Sequence, residues 1–469
     1  MAPSPVRRSA AHRLLVSAFA ALLAAAGAVQ LIASVDPSLG QLEAAPLASQ
    51  PTVARSIAPG GGPSPSTPAS ATPTGTGSTP APSGSAPAPR SSPVAPAPDP
   101  NSLASGGRAE VLAARLEARL TSARVKLGMP GVSATILFPD GSAWTGTSGM
   151  ADIKHKVPMR PSTAFPLASI SKTFTAALIL QLVDEGRLGL ETSAASILPE
   201  RRLDSRMTVR MLLDHTSGLA DFFESPKIDS PLLAAPDARW TPERTLGYVG
   251  KPLFAPGHGY HYSNTNYLIL GLIAERLTGD TVASEVRQRF FDPLDLSTAS
   301  YQGAEKPRAS AARGYRFFSL ALTAKPVEVG DGSAAVPFMA IVTASGAAGS
   351  IAATSADVAR WARALYVGNV LSPAMRLAMS ADAFRSTAVD PTFRYGLGVE
   401  VLTIDGHMSL GHDGRYLGYQ NAVRYFPVEG LTIAVMTNQS RTSPGLVVKA
   451  LLALAGSSPV PVRPRPEAI

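Results

Sequence analysis

Ser169-Ile170-Ser171-Lys172 is the stretch that decides how this chain is read. It puts a hydroxyl and an amine three residues apart at the start of a long amphipathic helix, and residues at that spacing share a helix face. The spacing therefore predicts the Lys172 ammonium beside the Ser169 oxygen. A helix start also offers unpaired backbone N–H groups and the positive end of the helix dipole, a suitable place for negative charge to build on an acyl carbonyl. If Ser169 is a nucleophile, a lysine stands where a Ser-His-Asp triad would use histidine. Alone, the tetrapeptide is also a common solvated helix face, so its neighbours must carry the reading.

Around it the pattern is mixed. Val111, Leu112, Leu116, Leu120 and Val125 recur at a helical period within Arg108–Leu127, and Gly128, Pro130 and Gly131 end that run. Val132–Phe138, the turn Pro139-Asp140-Gly141 and Ser142–Gly146 read as a hairpin. The Ser169 helix continues through Phe174, Leu178, Leu182 and Val183 to Gly186, a good C-cap residue. Helical patterns return at Val209–Asp214, Tyr267–Thr278 and Ala356–Leu365, and strand-like runs close the chain at Met408–Gly411, Asn421–Phe426 and Leu431–Met436. Strands at both ends with helices between predict an α+β fold. Its antiparallel sheet would be formed by the two ends of the domain, with helices packed on it and an all-helical insert.

Composition limits this fold to part of the 469 residues. Residues 51–100 hold 14 of the 42 prolines but only three charged side chains, Arg55, Arg90 and Asp99. Such a segment cannot bury enough apolar surface to offset its chain entropy, so 36–106 reads as a linker. The folded domain is expected over 107–456, with a Pro-rich tail at 457–469. Ahead of the linker, Arg7, Arg8 and Arg13 precede an uncharged apolar run from Leu14 to Val35. Residues 1–35 read as an export signal or a membrane anchor. The run is about 22 residues, enough to cross a bilayer core at roughly 20, so an uncleaved anchor with the domain outside the cytoplasm is favoured over a secreted product. The chain has no cysteine, which excludes a lipoprotein anchor, disulfides and thiolate metal sites. The net charge of +8 is dispersed, with no Lys/Arg run longer than two, and nothing suggests a nucleic-acid groove.

Two companions give Ser169 a context. Tyr262-Ser263-Asn264 lies 93 residues on, just before an apolar helix, and His412-Asp413-Gly414 lies 150 residues further, near the end of a strand-like run. Between them stand Leu213-Asp214-His215-Thr216-Ser217-Gly218-Leu219 and Ala347-Ala348-Gly349-Ser350. With these motifs in this order, residues 109–454 resemble the serine β-lactamase/penicillin-binding family, in its class C branch of D-alanyl-D-alanine carboxypeptidases, D-aminopeptidases and esterases.

The resemblance implies a β-lactamase/transpeptidase-like fold and an acyl-enzyme on Ser169, with no cofactor. Lys172 and Tyr262 would share the role of base as a coupled pair. Asn264 would hold Lys172 and offer its amide to the substrate. His412 and Gly414 would line the substrate site, and the N–H groups of Ser169 and Arg415 would form the oxyanion hole. Gly414 would let substrate approach the strand closely. The chain departs from the better-known Lys-Thr-Gly and His-Thr-Gly versions of the third motif. His412 removes a permanent cation from beside Tyr262, and Asp413 would repel a substrate carboxylate if it faced the cleft. On that condition esterase or D-aminopeptidase-like activity is favoured over action on D-Ala-D-Ala or β-lactams. The alternative is that Asp413 points away or is paired with an arginine. Substrates are expected to be small molecules or peptides, including cell-wall fragments. A catalytically silent peptidoglycan-binding domain is the reading from another class, and the intact Ser169, Lys172, Tyr262 and Asn264 oppose it.

Other polar residues carry structural readings. His215 and Ser217 are expected to organise a loop, His155 to be solvated, and Trp361 to pack in the core. His258 and His261 lack the companions of a zinc site.

Overall fold

A computed structural model describes residues 107–317, 324–329, 339–381, 383–385 and 393–456. The N-terminal apolar run, the linker and the C-terminal tail lie outside these residues, so their readings stay expectations. Among the described residues no helix is long and apolar enough to cross a membrane.

The hairpin is present. Strand β1 (Gly131–Leu137) turns through Pro139-Asp140-Gly141 into β2 (Ala143–Asp152), which is longer than its alternating pattern suggested. A short β3 (Val157–Pro158) flanks it. Six strands follow from the far end of the chain: β4 (Phe384–Arg385), β5 (Phe393–Tyr395), β6 (Glu400–Ile404), β7 (His407–Tyr416), β8 (Tyr419–Phe426) and β9 (Leu431–Thr437). They form one sheet in the order β3-β2-β1-β9-β8-β7-β6-β5-β4. Every neighbouring pair is antiparallel, and β1 joins β9 with Val132 opposite Thr437. Two ends of the domain therefore make one sheet, as expected.

The period-two alternation of β1 sorts its two faces. Val132, Ala134 and Ile136 enter a core under helices α1 (Gly107–Lys126) and α5 (Gly445–Ala455), with Leu116, Leu120, Val448 and Leu451. Ser133 and Thr135 face the other way, and each is hydrogen bonded at 2.9 Å to Ser355 at the start of α4 (Ser355–Tyr366). That second face carries the larger core, with α2 (Ser171–Asp184) and α3 (Asn264–Thr278) beyond. There Trp361 stacks on Phe174 at 3.8 Å and donates its indole N–H to Thr173 at 2.8 Å, confirming it as a packing residue. Short helices between residues 194 and 286 build the helical subdomain around α3.

Candidate active site

The nucleophile's turn is pinned by two hydrogen bonds. Asn421 on β8 donates its amide to the Pro166 carbonyl at 2.8 Å, and Leu167 N–H donates to Ile351 O at 2.8 Å. Ala168 then sits at φ 51°, a left-handed conformation that a residue with a Cβ adopts only against a cost of about 1–2 kcal/mol. Ser169 lies in the single 3₁₀ turn Ala168–Ile170, one turn before α2 proper. The two hydrogen bonds hold this strained turn, and with it the half-buried Ser169, where a free helix end would fray.

Lys172 is fully buried and makes three polar contacts: Ser169 Oγ at 3.0 Å, Asn264 Oδ1 at 2.7 Å and the Ala348 carbonyl at 3.0 Å. Burial pushes its amine down to about 7, against the opposing pull of Asp221 and Glu400. The neutral amine suits this cage. Two N–H groups meet two carbonyl oxygens that can only accept, leaving the nitrogen lone pair to the Ser169 hydroxyl. The stretch around Ala348 is a backbone cradle. Ala347 O accepts from Thr175 at 2.7 Å, Gly349 O accepts from Tyr416 at 2.8 Å, and Ile351 N–H donates to Ser171 Oγ at 3.1 Å.

Tyr262 is hydrogen bonded with Ser169, and Lys172 Nζ lies over its ring at 4.9 Å from the centre. Burial holds the phenol well above its ordinary value, and a hydrogen bond with Ser169 pulls only partly back. His215 supports it. This histidine is buried at φ 65°, 4.3 Å ring to ring from Tyr262, and its Nδ1 accepts from Ser263 N–H and Asn266 Nδ2, both at 3.1 Å. Ser217 donates to Asn266 Oδ1 at 2.6 Å. The Leu213–Leu219 stretch thus holds the Tyr262 segment in place. His155 is exposed and pairs with Asp152. His261 reaches Glu224, and among the described residues no cluster of metal-ligating groups occurs.

Asn264 is oriented by a residue that the motifs do not contain. Asp221 Oδ2 accepts Asn264 Nδ2 at 2.6 Å and Asn264 N–H at 3.2 Å, while Oδ1 accepts Phe223 N–H at 2.9 Å. The amide has one oxygen and one nitrogen, so nitrogen on Asp221 requires oxygen on Lys172. One amide N–H is left over.

The third motif lies in the last half of β7, two residues short of its end, and its residues alternate between faces. His412 is fully buried, with Nδ1 2.6 Å from the Asp413 carbonyl and Nε2 2.9 Å from the Tyr395 hydroxyl. A carbonyl can only accept, so Nδ1 carries the proton and Tyr395 donates to Nε2. Burial and Lys172 push His412 down to about 3, so it is neutral. Both nitrogens are engaged inside the protein, and the ring lies 6.4 Å from that of Tyr262.

Asp413 faces the other side of the sheet. There Arg424 donates to it at 2.5 Å and to Glu400 at 2.6 Å. The alternative of an arginine-paired Asp413 is the observed one, so Asp413 does not face the cleft to repel a substrate carboxylate. Gly414 shares the face of His412. A Cβ at Gly414 would overlap the Leu167 carbonyl oxygen, so the glycine admits the nucleophile's own turn.

Strand β6 ends its pairing at Glu400 opposite Gly411, so β7 beyond Gly411 has one open edge. Asp413 N–H points to that edge and meets Glu400 Oε2 at 3.1 Å. Strand N–H groups alternate in direction, so the Arg415 N–H faces the same edge.

Residues 112–457 match the β-lactamase family model, and the chain belongs to that family of serine hydrolases. It is 28% identical to penicillin-binding protein 4 of Amycolatopsis lactamdurans over 347 residues, 69% of this chain and 85% of that one. A D-aminopeptidase of Brucella canis is 32% identical over 154 residues, a third of this chain and 29% of that enzyme. Among solved structures, a D-stereospecific amidohydrolase from a Streptomyces species superposes with a TM-score of 0.63 at 28% identity, covering 72% of this chain and 97% of that one. The D-amino acid amidase of Ochrobactrum anthropi, complexed with L-phenylalanine amide, gives a TM-score of 0.63 at 25% identity, over 73% and 98%.

Proposed function

We propose that this protein hydrolyses amide or ester bonds of D-amino acid derivatives or short peptides through an acyl-Ser169 intermediate. The observation that carries the reading is Lys172, buried with an amine near pH 7 and 3.0 Å from Ser169 Oγ. In acylation the Ser169 proton passes to Lys172 Nζ as Oγ bonds to the substrate carbonyl carbon. The resulting oxyanion is received by the N–H groups of Ser169 and Arg415. Tyr262, which stays protonated, hands a proton to the leaving nitrogen or oxygen and is refilled from the Lys172 ammonium. The C–N or C–O bond breaks, and water repeats the sequence on the ester. The remaining amide N–H of Asn264 would hold the substrate's own carbonyl.

The D-aminopeptidase and amidohydrolase relatives support the substrate class. Carboxypeptidase or β-lactamase action is the second reading, favoured by Asp413 lying off the cleft and by the long match to a penicillin-binding protein. The test is to incubate residues 107–456 with D- and L-phenylalanine amide, a p-nitrophenyl ester and fluorescent penicillin, beside Ser169→Ala, and to weigh the intact protein. Turnover of the D-amide with an adduct on Ser169 is expected; penicillin labelling without amide turnover would favour the second reading. Turnover that survives Ser169→Ala, or no adduct from any probe, sinks both.

An extracytoplasmic location belongs to the same proposal, supported by the Arg-flanked apolar run at 14–35 and the Pro-rich segment after it. Protease treatment of intact cells should remove the domain, and a domain protected until lysis would overturn this.

A further inference from the structure

Asp221 belongs to none of the motifs, yet it is a buried charged partner of Asn264. It is 7% exposed, and each of its three hydrogen bonds comes from an N–H group. Its segment is locked to the start of α3 by one side chain. Thr265 Oγ1, fully buried, donates to the Ala220 carbonyl at 2.7 Å and accepts Phe222 N–H at 3.2 Å, one residue on either side of Asp221. The carboxylate therefore cannot drift from Asn264.

We infer that Asp221 is a positioning residue: by taking the Asn264 amide N–H it turns Asn264 Oδ1 onto Lys172 and so aims the amine at Ser169. The inference rests on the acyl-Ser169 reading. A flipped Asn264 would put an NH₂ against the Lys172 amine, two donors face to face, and the lysine would lose one of its three anchors. Outer partners of this kind commonly govern the group that touches the reactant.

Asp221 also acts on Lys172 through its charge. The groups that bear on Lys172 are Asp221 and Glu400, which favour the ammonium, together with neutral His215 and His412 and the phenols of Tyr262 and Tyr267. Asp221 in turn faces Lys172 and, more distantly, His261, itself paired with Glu224. Burial pushes the Asp221 carboxyl up, and the N–H donors and Lys172 pull against that. Replacing the carboxylate by an amide removes a field that favours the ammonium, so Lys172 should lose its proton at lower pH.

A capping role alone predicts something different. Asp221 does cap α3 through Asn264 N–H, and a lost cap would lower stability without moving the pH dependence of acylation. The test is the pH profile of kcat/KM for a p-nitrophenyl ester with wild type, Asp221→Asn, Asn264→Ala and the double variant. Asp221→Asn should lower the plateau about 10–100-fold and move the acid limb to lower pH. In the Asn264→Ala background the same change should cost less than about threefold at the plateau, because the residue it acts through is gone. Plateau losses that multiply, or an acid limb that stays in place, would overturn the assignment. Should Asp221→Asn fail to fold, Asp221→Glu keeps the charge and must keep the wild-type acid limb; a displaced limb there would overturn it equally. Wild type that forms no Ser169 adduct counts against the acyl-enzyme reading itself, whereas labelled wild type with an indifferent Asp221→Asn counts against Asp221 alone.

Discussion

The sharpest consequence of the site is a pH profile that separates the two candidate bases. An ordinary lysine near 10.4 leaves about one amine in 2,500 neutral at pH 7. With the Lys172 amine pushed down to about 7, half of the molecules carry a neutral nucleophile partner at that pH. The gain is on the order of 10³ in competent enzyme. Below pH 7 the neutral fraction falls, to about a tenth at pH 6 and about a hundredth at pH 5. The measurement is kcat/KM for a p-nitrophenyl ester from pH 5 to 10.5, with the release burst recorded to isolate acylation. One acid limb of unit slope centred near 7 is expected, followed by a plateau. A base formed by Tyr262 phenolate would behave otherwise, since burial holds that phenol well above its ordinary value. Its profile would still climb at pH 10. A rate rising through pH 9 and 10 with no inflection near 7 would refute Lys172 as the base.

Three further outcomes follow from the same contacts. Lys172→Met should abolish acylation and change the pH dependence of stability. The folded lysine binds its proton less well than the unfolded one, so wild type gains stability as pH rises from about 7 to about 10.5; the variant's relative melting temperature should be highest below pH 7 and decline across that window. Asp413→Thr should gain no reactivity toward penicillin, because the residue faces Arg424 on the far side of the sheet, and should lose about 1–2 kcal/mol in urea unfolding. Gly414→Ala should slow acylation about 100-fold, since a methyl against the Leu167 carbonyl forces the strand and the nucleophile's turn apart; wild-type acylation in that variant would refute the close approach.

Ser169, Lys172, Tyr262 and Asn264 were legible because their side chains meet through short motifs, each at the start of or just ahead of an apolar helix. What the sequence did not disclose depends on which way a residue faces. His412 and Asp413 are neighbours on β7, and only the register of Asp413 with Ala422 and of Gly411 with Arg424 assigns them to opposite sides. The role of Asp221 is illegible for a related reason. It lies in a loop without periodicity, and its link to Asn264 spans 43 residues. Helix α5 is hard to read as an element, since its run Gly445–Ala455 is apolar on nearly every face and shows little helical period.

The pairing of β1 with β9 joins Val132 to Thr437, about three hundred residues apart in the chain. Such a closure is among the last events available to a growing polypeptide. The turn that aims Ser169 is held by Asn421, and β8 in turn is flanked by β9. The nucleophile is made early and armed late. Until nearly the whole domain has emerged, Ser169 and Lys172 lie on an unanchored helix start with no strand to set them, so a partly made chain carries the chemical groups without the reactivity.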